Sequence, residues 1–120
     1  RVEFVPGDFT RDDLGNGYDL ALLSNIIHSY GPQTNQELIR KCYDALEPGG
    51  LLILKDFLVD AGRTGPPFAL IFALHMLVHT QAGDTYTIEE VAQWSDSAGF
   101  APGKLVDITP QSRLWLARKP

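Results

Sequence analysis

Cys42 is the only cysteine in the chain, so no internal disulfide can form and the fold must be held by packing. That suits a reducing compartment, and a cytoplasmic location is expected. The place of Cys42 in a helical pattern marks it as a small core residue rather than a nucleophile. Basic residues are outnumbered, ten Lys and Arg against fifteen Asp and Glu, for a net charge of −5. This leaves no electrostatic footprint for nucleic acid or an anionic membrane, so a small molecule is the expected partner. Long apolar runs are missing too: the longest, residues 68–78, contains His75 and falls short of the roughly 20 residues that a bilayer span needs. No stretch reads as a signal peptide, a repeat or a low-complexity tract. What is present is 120 residues, 44% hydrophobic and 21% charged, enough for one small globular domain but short for a complete α/β enzyme. The chain begins at Arg1 rather than at a methionine, and is expected to be a piece of a longer one.

Strand patterns alternate with helical ones, which predicts βαβ units and a mainly parallel sheet. Residues 2–5, 18–23 and 49–54 read as strands. Thr34 with Glu37 makes a capping box for a first helix, Leu38, Cys42 and Ala45 give it an apolar stripe, and Pro48-Gly49-Gly50 ends it. Thr87 with Glu90 repeats the box before Val91, Trp94 and Ala98, and Gly99 supplies a left-handed stop. Residues 104–109 and 112–118 follow as an antiparallel hairpin turning at Pro110-Gln111. Between the halves, the glycine and proline of residues 61–67 suggest a hinge or the base of a lid.

Chemistry in open α/β sheets collects at the carboxyl ends of strands. Here those ends deliver Asp8 and Phe9 after the first strand, Ser24 to His28 after the second, and Asp56 after the third. If the strands run parallel, a carboxylate, an imidazole and a second carboxylate share one rim. Residues 68–80 form an apolar helix with Phe68, Phe72, Met76 and Thr80 on one face. His75 and His79 are four apart, as two metal ligands on a helix would be. No glutamate follows the first histidine and no third ligand is evident, so no metal is expected.

Gly-Asp-Phe at 7–9, the strand leading to His28, the helix closing on Ala45-Leu46-Glu47-Pro48-Gly49-Gly50, the strand ending at Asp56, and Thr85-Tyr86-Thr87 before the last helix together carry a resemblance. In this order they resemble the S-adenosylmethionine-dependent O-methyltransferases, the small-molecule class that includes caffeic acid and acetylserotonin methyltransferases and bacterial relatives. The likeness covers nearly all of this chain but only the C-terminal part of such a catalytic domain. It implies a partial Rossmann-like α/β sheet with a C-terminal antiparallel hairpin, one domain over residues 1–120, and membership of a homo-oligomer. It also implies that His28 is the general base that takes the proton of an acceptor hydroxyl, a task suited to imidazole, whose ordinary pKa is about 6.5. Asp56 would orient that base, Asp8, Phe9 and Ser24 would face S-adenosylmethionine, and Phe72, Met76 and Thr80 would face a fairly apolar acceptor.

Departures from the family's pattern stand beside these matches. The usual His-Asp-Trp reads His28-Ser29-Tyr30, a second acidic position before the last helix is Thr85, and Ser24 stands where plant members have lysine. The glycine-rich loop that holds the methionine end of the cofactor is not in the sequence, and Gly15-Asn16-Gly17 has turn chemistry instead. Two other readings remain open on these residues: a non-catalytic interaction or oligomerisation module built on the same fold, and a fragment of a nucleotide-dependent oxidoreductase.

Overall fold

The structure is a computed structural model that describes residues 1–120. Its centre is a four-stranded sheet in the order β1-β2-β4-β3, formed by β1 (Tyr18–Ser24), β2 (Leu46–Asp56), β3 (Lys104–Asp107) and β4 (Arg113–Arg118). β1 and β2 run parallel, while β4 lies antiparallel to both β2 and β3. Three helices connect them: α1 (Pro32–Ala45), α2 (Pro67–His79) and α3 (Ile88–Ala98). The partial α/β sheet and its closing hairpin are therefore as expected, but only one of the three pairings is parallel.

The predicted strand at residues 2–5 does not form. A lone strand cannot pair its own N–H and C=O groups, and no neighbouring strand is there to take it. Val2, Phe4 and Val5 stay 79–89% exposed. The segment after it is held locally: Lys41 Nζ donates to the carbonyls of Phe9 (2.9 Å) and Asp12 (3.0 Å) and ties the loop to α1.

α1 also starts earlier than the Thr34 box predicts. Its N-cap is Gly31 and its first residue is Pro32, with no side-chain cap. Proline at the first helical position loses nothing by lacking an N–H, and its fixed φ fits the helix, so it outcompetes the threonine two residues on. The helix ends at Ala45 and β2 begins at once. Pro48 and Gly49 lie inside β2, where the pairing with β1 skips from Tyr18↔Leu46 to Leu20↔Leu51, a bulge.

α3 carries the capping box that its sequence predicts. Glu90 N donates to Thr87 Oγ1 (3.2 Å), Thr87 N donates to Glu90 Oε2 (2.7 Å), and Gly99 closes the helix at φ 108°. α1 and α3 lie together on one face of the sheet. Leu38, Ile39 and Cys42 of α1 and Val91, Trp94 and Ala98 of α3 share a core with Leu23, Leu52, Leu54, Trp115 and Ala117 of the strands.

Candidate active site

β1 ends at Ser24, and the chain then reverses through Asn25, which takes a left-handed φ of 55°. A 3-10 turn over Ile27–Ser29 follows and buries His28. Because β2 runs parallel to β1, its last residue, Asp56, emerges at the same end of the sheet. Topology thus brings together two side chains 28 positions apart. His28 Nδ1 lies 2.7 Å from Asp56 Oδ1, and the aspartate is only 2% exposed. A carboxylate can only accept, so the shared proton belongs on Nδ1, and the lone pair is left on Nε2. Nε2 has no hydrogen bond within the chain. Asp56 is itself fixed, since the Phe57 backbone N–H donates to the same Oδ1 at 2.8 Å, while Oδ2 is buried without a partner.

The imidazole sits among aromatic rings. Phe72 of α2 meets it edge to face at 4.9 Å, Phe57 stacks on it at 5.9 Å, and these two phenyl rings are 4.5 Å apart. One turn further along α2, Met76 is buried. Thr80 stands at the C-cap of α2 with its hydroxyl engaged at home, donating to the Met76 carbonyl and accepting from Gly83 N, both at 2.7 Å. His75 and His79 stack on each other at 4.1 Å, His79 Nδ1 lies 2.9 Å from the His75 carbonyl, and both side chains are exposed. No group of three His, Cys, Asp or Glu side chains is arranged to hold a metal ion.

The segment from Gly83 to Tyr86 closes over the His28 turn. Asp84 N donates to the His28 carbonyl at 3.0 Å. Gly83 passes so close that a Cβ there would collide with that carbonyl oxygen, so a side chain cannot be accommodated without moving the turn. Thr85, where the family's second acidic residue is expected, is 1% exposed with its hydroxyl unpartnered. Arg63 in the loop at residues 61–67 donates to the Thr85 carbonyl (3.2 Å) and pairs with Glu90 (3.4 Å), which pins this loop to the start of α3.

Asp8 and Phe9 lie elsewhere, on the irregular segment before β1. They border an open cleft of about 510 Å³ whose lining includes Val5, Asp12, Asp13, Leu14 and Tyr18. Asp8 Oδ1 accepts from the Thr10 hydroxyl (2.6 Å) and backbone N–H (2.9 Å), bonds that hold its carboxyl below the usual carboxylate range. Phe9 packs edge to face on Tyr30 at 5.3 Å, which connects this cleft to the His28 turn. Ser24 pairs with Lys55 on the opposite face of the sheet from Asp56 and is exposed.

Sequence reasoning missed Asn35, which is fully buried. Its amide nitrogen donates to the carbonyls of Ile27 (2.9 Å) and Tyr30 (3.2 Å), on either side of the His28-Ser29 step. The signal was present: Asn35, Leu38, Ile39 and Cys42 follow the spacing of one buried helix face, and an amide on such a stripe asks for partners.

The O-methyltransferase domain family matches residues 1–101. The 3-hydroxy-5-methyl-1-naphthoate 3-O-methyltransferase of Streptomyces sahachiroi is 36% identical over 106 residues, which cover 88% of this chain and 30% of that protein. The acetylserotonin O-methyltransferase of Gallus gallus is 34% identical over 113 residues, covering 89% of this chain and 32% of the other. Among solved structures, human N-acetylserotonin methyltransferase in complex with SAM gives a TM-score of 0.88 at 30% identity, over 98% of this chain and 33% of that one. PigF with SAH gives 0.85 at 30% identity, over 95% and 34%. The chain spans about a third of the length of these relatives. Its sequence, its sheet and the order of its motifs agree: the chain belongs to the O-methyltransferase domain family.

Proposed function

We propose that this chain is the C-terminal part of the catalytic domain of an O-methyltransferase that acts on a hydroxyl of a small, fairly apolar acceptor, with His28 as general base. The observation that carries this reading is the His28–Asp56 pair at 2.7 Å, buried at the end of two parallel strands with Nε2 left unbonded among Phe57 and Phe72. A neutral imidazole held this way accepts a hydroxyl proton on Nε2, and Asp56 stabilises the imidazolium that forms. Phe72 and Met76 supply an apolar wall for the acceptor. Thr80, whose hydroxyl is engaged within the helix terminus, contributes to it as shape.

S-adenosylmethionine, present in the human N-acetylserotonin methyltransferase structure, would supply the methyl group. The cleft beside Asp8 fits one end of it: an exposed carboxylate next to the Phe9 ring suits a flat heterocycle bearing an amine. Ser24 lies on the exposed side of the same strand ends. Nothing in residues 1–120 forms the glycine-rich cradle for its methionine end, so the 120-residue chain alone should bind it weakly. The partner in this reading is a small molecule rather than nucleic acid or membrane, and the setting is cytoplasmic. A homo-oligomer is supported by the apolar side of α2, where Ile71, Leu74, Leu77 and Val78 are 65–76% exposed.

The test is His28→Ala in the complete protein, which should lower kcat by about 100-fold or more with cofactor affinity nearly unchanged. Turnover within a few-fold of the parent would remove His28 from the chemistry.

A further inference from the structure

We propose that Asn35 is a positioning residue for His28: its side-chain amide clamps the carbonyls of Ile27 and Tyr30 and thereby fixes the direction in which the imidazole presents Nε2. The proposal rests on the reading of His28 as base. Asn35 does not touch the imidazole. It acts on the short 3-10 turn that carries it, from the first turn of α1, where it is fully buried.

The use of its two polar ends is unequal. Nδ2 makes both of its bonds to the His28 turn, at 2.9 and 3.2 Å, whereas Oδ1 is buried without a partner. A position that served packing alone would be better filled by leucine, because a buried polar atom left unpaired costs stability. The amide is therefore explained by its donor end, and both donated bonds go to the peptide groups that bracket His28.

The rest of the turn is held in the same manner. The Tyr86 hydroxyl donates to the same Tyr30 carbonyl that Asn35 holds, and Asp84 N donates to the carbonyl of His28 itself. Three carbonyls along the turn, those of Ile27, His28 and Tyr30, are thus bound by donors from two different elements. A 3-10 turn of three residues has little internal hydrogen bonding of its own, here Ser29 N to Ile26 O and Tyr30 N to Ile27 O. Its orientation has to come from outside. Rotation of this turn would carry the imidazole away from Asp56, a contact that depends on a 2.7 Å approach.

The experiment uses the complete protein with Asn35→Asp, Tyr86→Phe and His28→Gln. Asn35→Asp keeps size and shape but turns the donor into an oxygen facing two carbonyl oxygens. It should lower kcat by about 10-fold or more while the KM values for acceptor and S-adenosylmethionine move less than about twofold, as expected for loss of alignment rather than of binding. The far-downfield NMR signal of the His28 Nδ1–H proton should shift or vanish in the same variant. Tyr86→Phe removes the second donor with little change of volume and should give a smaller loss of the same kind. If Asn35→Asp does not fold, Tyr86→Phe decides: unchanged kcat and an unchanged downfield signal overturn the proposal. It is also overturned if both variants lower melting temperature while kcat per folded molecule and the downfield proton stay as in the parent. His28→Gln separates the two claims. Near-parental turnover there defeats the base reading, whereas the downfield signal in Asn35→Asp still tests the clamp.

Discussion

The two faces of the sheet carry similar side chains in dissimilar surroundings. On one face Leu23, Leu52, Leu54, Trp115 and Ala117 are buried beneath α1 and α3. On the other, Leu20, Leu22, Leu51, Ile53, Leu114 and Leu116 align across β1, β2 and β4 with no helix over them, and Leu20 and Leu22 are 52% and 57% exposed. Strands apolar on both sides belong to sheets covered on both sides. The difference separates what an apolar residue could contribute from what it does contribute, because the hydrophobic effect counts area removed from water and not the identity of the side chain. The stability of this chain is therefore concentrated on the helix-covered face.

Leu54→Ala tests that most severely. Leu54 is fully buried, and its truncation should cost about 2–5 kcal/mol in denaturant unfolding. Ile53→Ala, one residue along and on the other face, should cost clearly less, and equal losses would erase the distinction.

Raising the pH attacks the covered side next. Burial pushes the Cys42 thiol from 9.0 up to about 12, and burial with the charges of Asp84 and Glu90 pushes the Tyr86 phenol from 10.0 to about 12. Both groups keep their protons in the folded chain at pH values where the unfolded chain has lost them. Their contribution is complete below pH 9 and is lost as the pH rises toward 12, at a slope of at most about 1.4 kcal/mol per pH unit for the thiol. Melting temperatures should fall across that window, and Cys42→Ala should flatten the fall even though it lowers the starting value.

The cover itself can be loosened at its edge. Thr87→Ala removes the capping box of α3 and should cost about 1 kcal/mol, read as a lower melting temperature with the sheet intact. The smallest effect is expected at Leu22→Ser on the bare face, within about 0.5 kcal/mol, together with less self-association in sedimentation. A loss there as large as that of Leu54→Ala would mean that a second copy of the chain covers this face in solution.

What could be read beforehand follows the range of the forces involved. Local signals carried through: Thr87 and Glu90 cap α3, Gly99 stops it, and residues 104–118 form the hairpin, because these depend on neighbours within a few positions. The rule about strand ends placed His28 and Asp56 on one rim, once the strands at 18–23 and 49–54 had been recognised, while their pairing was legible only through the family resemblance. The strand at 2–5 was misread because its pattern of alternation says nothing about whether a partner edge exists. The start of α1 was misread because two cap signals competed and Pro32 won. Asn35 was passed over since its value lies in what it meets across the fold, two carbonyls five and eight residues back, which helical spacing alone does not display.

The strand order has a consequence for how this chain is made. β4 is the last of the four strands to leave a ribosome, yet it stands inside the sheet, between β2 and β3. Translation therefore delivers β1, β2, β3 and all three helices before the strand that pairs with the free side of β2 exists. When residues 113–118 arrive they must enter between two strands already synthesised, and Lys119 then latches the result by donating from Nζ to the carbonyls of Tyr43 (2.8 Å) and Leu46 (2.7 Å). Loss of residues 113–118 would not trim an edge from this sheet; it would part β3 from β2, because β4 is the strand that joins them.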